Sequence, residues 1–357
     1  MRIKLVFPAL LTFISFIAGA QHSISGKVID STSREPLPGA SVFFQNTTKG
    51  TATNKQGEFS IQLGSGGYDL VITYSGYQSR TIRITDTEIK YFEIEMLKEE
   101  KNMEEVVIRS SNEVPDGWEK YGSFFIEHFI GTTPFSSQCL LENPEALKFY
   151  LYKRSNKLKV LSEVPLQIVN NALGYRLTYQ LDSFVYYYES EIHTYRGFCL
   201  YSEIEGTEQE QKTRAANRLN AYYGSRLHFM RSYYDSTLAG DGFAIDLLDE
   251  KEDTKFRKIS NPYDTLYYGA LDSTLEIEIY YPRKFSVTYL KKRPEPEYLK
   301  KMGLPKKVAT QISYLDLTDF IAIKENGYYY EQKNLVVQGY WSWKNLADQL
   351  PYDYAPY

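Results

Sequence analysis

The chain has 357 residues, with 41 Lys and Arg against 45 Asp and Glu, a net charge of −4. These charges are interleaved along its length, which excludes the basic excess expected of a nucleic-acid binder. The length exceeds the usual single core and implies two folded domains, and 33 tyrosines against 3 tryptophans and 4 histidines favour half-buried strands and aromatic surfaces.

The first 20 residues read as a secretory signal. Arg2 and Lys4 make a positive start, Leu5 to Ile17 is apolar except at Pro8, Thr12 and Ser15, and Ala18-Gly19-Ala20 is a small-residue cleavage site. The apolar run is too short to cross a bilayer, and no later stretch reaches spanning length. The mature chain from Gln21 is therefore expected to be exported, without a transmembrane segment, to the periplasm or the outer-membrane periphery. No cysteine precedes Cys139, so the cleavage site lacks the residue that lipoprotein acylation needs.

From Ser23 to Leu97, short alternating runs at Ser23–Asp30, Ser41–Gln45, Glu58–Leu63, Tyr68–Tyr74, Ser79–Thr85 and Lys90–Leu97 are separated by turn residues. This spacing predicts a seven-stranded antiparallel β-sandwich over 21–97. Pro36-Leu37-Pro38-Gly39 and Asn54-Lys55-Gln56-Gly57 are tight turns, and Gly64-Ser65-Gly66-Gly67 reads as a hairpin loop. After the second of these turns Phe59, Ile61 and Leu63 share one strand face.

The segments Ile24-Ser25-Gly26-Lys27-Val28-Ile29-Asp30, Pro36 to Val42, Thr53 to Ile61 and Ser75-Gly76-Tyr77, in this order and spacing, resemble the carboxypeptidase-like regulatory domain over residues 22–97. The resemblance implies a transthyretin-like, non-catalytic add-on module of Bacteroidota envelope proteins, one that often precedes TonB-dependent transporter barrels. The peptidase chemistry in the family's name has no counterpart here. None of His22, His128, His193 and His228 has a glutamate three residues on, as a zinc peptidase motif requires.

Residues 98–118 read as a linker. Within it Val106-Val107-Ile108 resembles the stretch that follows this module in TonB-dependent transporters and can pair by strand addition; equally, it reads as a closing strand. The remainder, 119–357, is expected to be a β-rich α+β domain. Strands are predicted at 146–153, 157–164, 175–181, 184–190, 195–204, 274–281, 284–290, 310–317, 320–325 and 328–337. One principal helical segment spans 208–234, with Leu219, Tyr223, Leu227 and Met230 on one face and Gly224-Ser225 as a kink or restart. Blocks such as Ile126 to Thr133, Tyr223 to Phe229 and Gly339 to Trp343 are similar to blocks of Bacteroidota proteins that carry the module at the front, a likeness that brings no activity with it. An outer-membrane barrel is disfavoured by Pro351 and Pro356, which cannot donate to a closing strand's ladder, and by the internal helix.

Candidate sites are few. Cys139 and Cys199 form an even pair in an exported chain, which points to a disulfide. Arg214 and Arg218, with Lys212, Arg226 and Arg231, make the helical segment basic, as a site for a sugar acid or phosphate or as a solvated face. Trp341 and Trp343 suit stacking on sugar rings or packing. No catalytic elbow, P-loop, Cys-x-x-Cys or paired-histidine spacing occurs, so neither cofactor nor metal is expected. Asp-Ser/Thr triplets at Asp30, Asp235, Asp264 and Asp272 are similar to the O-glycosylation acceptor pattern of exported Bacteroidota proteins. The reading that follows is a non-catalytic envelope binding or scaffolding protein contacting a glycan or another envelope protein. Its alternatives are a periplasmic hydrolase acting on glycan or peptide and a component associated with a TonB-dependent outer-membrane system.

Overall fold

A computed structural model describes residues 22–84, 91–99, 111–249, 255–271 and 275–356. The signal segment, the Val106-Val107-Ile108 strand and the Asp272 triplet lie outside the described residues. The N-terminal sandwich has seven strands among these residues. Strands β1 (His22–Asp30), β4 (Glu58–Leu63) and β7 (Tyr91–Met96) form one sheet in the order β4-β1-β7. The other sheet runs β3-β2-β5-β6, from β2 (Ser41–Phe44), β3 (Gly50–Ala52), β5 (Tyr68–Thr73) and β6 (Arg80–Ile84). Phe59 and Ile61 face the shared core with Val28, Phe44, Leu70 and Ile94, as the alternation in β4 predicts.

Two details depart from the sequence reading. The pairing of β1 with β7 is parallel, the others being antiparallel. These strands are distant in sequence, so no hairpin dictates their direction. The 64–67 loop is a crossover between the two sheets, because β4 pairs with β1 and β5 with β2. Its glycines serve contact: a Cβ on Gly66 would come within 2.3 Å of Asn326, and Gly67 exchanges two hydrogen bonds with the Asn326 side chain at 3.1 and 3.0 Å.

Strands β2 and β5 are buried on consecutive positions, Val42-Phe43-Phe44 and Leu70-Val71-Ile72, which requires cover on both faces. One face meets the other sheet and the second is covered by the rest of the chain. Asn46 N–H donates to Cys199 O at 2.7 Å, Tyr201 N–H to Thr47 O at 2.9 Å and Tyr352 N–H to Asn46 O at 2.8 Å. Tyr328 donates to Asp69 at 2.6 Å, and Arg83 pairs with Glu331 while lying 3.9 Å over the Tyr330 ring.

Beyond the sandwich, helix α1 (Gly117–Phe129) packs on β9 (Leu147–Tyr152) of a sheet ordered β8-β11-β12-β10-β9, with β13 (Ile192–Glu203) on β12 (Tyr175–Tyr187). Here β8 is Cys139–Leu141, β10 Lys157–Ser162 and β11 Leu166–Asn170. The runs read separately at 175–181 and 184–190 are one long strand with a bulge between Leu181 and Ser183. A second sheet, β15-β14-β18-β19-β21, comprises β14 (Phe243–Leu248), β15 (Phe256–Lys258), β18 (Phe285–Tyr289), β19 (Gln311–Leu317) and β21 (Leu335–Gly339). Three further strands, β16 (Tyr268–Leu271), β17 (Glu276–Ile279) and β20 (Ile321–Ile323), form a small sheet. Each large sheet has its own hydrophobic cluster, one around Phe125, Phe129 and Phe184 and one around Phe229, Phe285 and Trp341.

The helical segment is two helices, α2 (Glu208–Tyr222) and α3 (Arg226–Tyr234), each started by its own cap. Thr207 and Glu210 form a capping box, and the Ser225 side chain accepts from His228 N–H. The break at Tyr223 to Ser225 falls where Gly224-Ser225 was expected to kink or restart the segment, and it parts the residues expected on one face: Tyr223 is exposed and Met230 lies in the core. Among the described residues no helix is long and apolar enough to cross a membrane.

Candidate functional site

A cleft of about 290 Å³ opens where the sandwich, α2 and the C-terminal segment meet. Thr48 contributes from the sandwich, Tyr175 and Glu203 from the first sheet, Arg218 from α2, and Asp353 and Tyr354 from the chain's last turn.

Two arginines one helical turn apart fix α2 beside it. Arg214 is buried and donates to Ile204 O and Glu205 O at 3.0 and 3.2 Å. Its stem crosses Gly174, where a Cβ would approach Arg214 Cδ to 2.4 Å. Arg218 donates through Nε to Leu173 O at 2.7 Å and pairs with Glu203 at 3.2 Å. Its guanidinium lies 4.1 Å from the Tyr175 ring centroid. Both arginines therefore hold α2 against the 173–174 turn, and Arg218 alone of the two lines the cleft. Asp353 accepts from Thr48 N–H at 2.9 Å and from its hydroxyl, fastening the opposite wall to the sandwich. The cleft presents carboxylate acceptors beside tyrosine rings, with its one arginine already paired. Such a surface suits the hydroxyls and ring faces of a neutral sugar.

The other residues singled out from sequence lie elsewhere. Trp341 and Trp343 are interior: the first donates through Nε1 to Gly224 O at 2.7 Å and the second to Thr132 Oγ1 at 3.0 Å. Neither ring is available for stacking on a sugar. Cys139 and Cys199 are free thiols, which corrects the disulfide expectation. Cys139 pairs with Asn170, Asn170 with Tyr175 and Tyr175 with Glu203, while Cys199 lies four residues further along β13. Three strand spacings and four residues of rise put the cysteines roughly 20 Å apart, against a Cα limit of about 7 Å for a bridge. Burial pushes the Cys139 thiol up to about 12 and Cys199 higher still. Alkylation of unreduced, denatured protein should label both cysteines; a product without labelled thiols would restore the bond.

His128 and His193 have rings 5.3 Å apart, with His128 Nδ1 bonded to Phe124 O at 2.8 Å. His228 is buried, and its Nδ1 accepts from Gly224 N–H at 3.2 Å. Burial holds His228 down to about 4, and burial with the His128 charge does the same for His193. Because these folded values lie below the ordinary 6.5, the stability they confer is full above 6.5 and is lost as pH falls toward 4. From His228 alone, urea unfolding at about pH 4.5 should show roughly 2–3 kcal/mol less stability than at about pH 7. His228→Asn should shrink that difference, and an unchanged difference would refute the assignment.

Two carboxylates converge within the C-terminal region. Glu295 and Asp348 both bind Lys344 Nζ, at 2.9 and 3.0 Å, which puts their oxygens no more than about 6 Å apart. They are tied into a triad instead of facing a cleft: Tyr340 donates to Glu295 and Thr133 to Asp348 at 2.6 Å. Burial pulls both upward. Lys344 prevails at Glu295, which stays below the usual carboxylate range, and burial prevails at the deeper Asp348, whose side chain is 3% exposed against 18%.

Thr48, Tyr175, Glu203, Asp353 and Tyr354 had no signal in the sequence. They come from four distant segments and acquire meaning only at the seam.

Comparison with known proteins bears on the sandwich. Residues 24–108 match the CarboxypepD_reg-like domain. TonB-dependent receptor P39 of Formosa agariphila is 30% identical over 107 residues, which is 29% of this chain and 10% of that receptor. The chain thus spans a small part of that relative's length. Among solved structures, a type II cohesin–X-dockerin complex from Acetivibrio cellulolyticus aligns with 21% of this chain and 56% of that chain at 26% identity, with a TM-score of 0.18. A putative membrane-associated protein of unknown function from Bacteroides fragilis aligns with 45% and 65% at 12% identity and a TM-score of 0.19. Similarity at these TM-scores carries no argument. By its sequence match, and by the seven-stranded sandwich of its described residues, the segment 24–108 is a CarboxypepD_reg-like domain.

Proposed function

We propose that this is an exported, envelope-associated protein that binds or scaffolds without catalysis, contacting a glycan or another envelope protein through the seam cleft. Envelope association is supported by the CarboxypepD_reg-like domain and by the receptor match. One observation carries the binding reading: the sandwich is fastened to the rest of the chain by paired polar groups, so that the walls of the cleft are preorganised and its charged side chains are already partnered. Preorganised walls favour capture, and carboxylates held by Arg218 and Thr48 suit hydroxyl recognition better than proton transfer. The division into signal 1–20, sandwich 21–97, linker 98–118 and a β-rich domain 119–357 belongs to the same proposal.

The test is an NMR titration of the full chain with glucose and N-acetylglucosamine, combined with fractionation of the envelope. Saturable shifts centred on Tyr175 and Tyr354, weakened in Tyr354→Ala, are expected, with the protein in the envelope fraction. Absence of binding in the wild type, or shifts indifferent to Tyr354→Ala, would defeat the cleft assignment. The receptor match favours a second reading, a component associated with a TonB-dependent system, which predicts co-purification with an outer-membrane transporter.

A further inference from the structure

A second recess, of about 210 Å³, lies beside the edge strand β15, where the chain leaves Lys258 and loops through 259–267 toward β16. Its volume is below the roughly 300–1,000 Å³ that drug-sized ligands occupy, so it suits one small molecule. Leu247, Ile259 and Tyr267 give it an apolar side. Leu247 belongs to the core of the second large sheet and the Tyr267 ring stacks on Tyr281 at 4.9 Å, so that side is fixed. Arg257 and Asp264 bring opposite charges to the same recess. Arg257 pairs with Leu247 across β14 and β15, and cross-strand partners share a sheet face, so its side chain stands on the Leu247 side. Asp264 is held by its own turn: Oδ1 accepts from Leu266 N–H at 3.0 Å, and its carbonyl accepts from Tyr267 and Tyr268 N–H at 2.8 and 3.0 Å. The two charges do not pair with each other, and among the described residues neither forms an ion pair.

The backbone supplies a third element. Asp249 N–H donates to Lys255 O and Ile259 N–H to Ile245 O, at 2.7 and 2.9 Å, so alternate residues of the β15 run bond to β14. Lys258 is out of phase with them and turns its N–H and C=O outward, where neither has a backbone partner among the described residues. Its side chain leaves by the other sheet face, opposite Asp246, so it is this backbone edge that Lys258 offers the recess. We propose that the recess binds a free α-amino acid with an apolar side chain. Arg257 takes the carboxylate through paired N–H donors, Asp264 takes the ammonium, and the side chain of the ligand lies against Leu247 and Tyr267. The Lys258 N–H and C=O are matched to the same two ends, one donor for the carboxylate and one acceptor for the ammonium. A neutral sugar meets neither charge, and an acid or an amine alone meets one of the two. The residues of the recess are distinct from those of the seam cleft.

Isothermal titration of the full chain with L-leucine, leucinamide and N-acetyl-leucine tests the site one end at a time. Saturable binding of L-leucine at millimolar concentration or below is expected. It should be about tenfold or more tighter than binding of leucinamide, which lacks the carboxylate, or of N-acetyl-leucine, which lacks the ammonium. Arg257→Gln should cost leucine a similar factor and leave leucinamide unchanged. Asp264→Asn keeps the acceptor for Leu266 N–H, and should weaken leucine while leaving N-acetyl-leucine unchanged. Arg176→Gln, at an exposed ion pair with Glu142, should alter nothing. If Arg257→Gln fails to fold, Arg257→Lys, which keeps the charge without the paired donors, carries that arm with a smaller loss. No saturable leucine binding, equal affinity for the three ligands, or recess variants that bind all three as the wild type does overturns the proposal. Glucose should not compete; displacement of leucine by glucose would put the ligand in the seam cleft and overturn the assignment, while the cleft's own test with neutral sugars stands or fails by itself.

Discussion

Trp341→Ala is expected to lower stability by about 3–5 kcal/mol, the range for truncating a large aromatic in a packed core. The indole packs at 5.3 Å on Phe229 within the cluster of the second large sheet. It also spends its N–H on Gly224 O, at the turn that separates α2 from α3. Removal opens a cavity and orphans that carbonyl, so the helix junction and the sheet loosen together. Urea unfolding monitored by circular dichroism measures the loss. A change below about 1 kcal/mol would mean that the ring lies at the surface, as the stacking reading had it.

Lys344→Ala is expected to cost about 3–5 kcal/mol, because it strands the buried Asp348 and the half-buried Glu295 carboxylates. Its ammonium is the shared partner of Glu295 and Asp348, and the triad joins the short helix that follows Glu295 to Thr133 near the end of α1. The same arithmetic predicts that Asp348→Ala made in the Lys344→Ala background costs less than it does alone, since the stranded charge is then removed. Additive losses in the double-mutant cycle would show that the three groups do not act as a unit.

Much of the N-terminal fold was legible along the chain. Alternation at Phe59 and Ile61 placed one strand face, and the Pro36 to Gly39 turn placed a corner, because both depend on residues a few positions apart. The basic helical segment was found for the same reason, down to the break at Gly224-Ser225. Short strands such as β8 and β15 were missed; three residues are too few to establish a period. The disulfide failed because parity and compartment say nothing about distance across a sheet.

What the sequence determined by itself was therefore local: the class of fold and the regulatory-type sandwich, each written in neighbouring residues. Tertiary structure decided the rest. It turned Arg214 into a staple and Trp341 and Trp343 into core, and it brought Thr48 to Asp353. A side chain's chemistry is known from its letter, but whether that chemistry is spent on a neighbour or left for a ligand depends on burial and on partners hundreds of residues away.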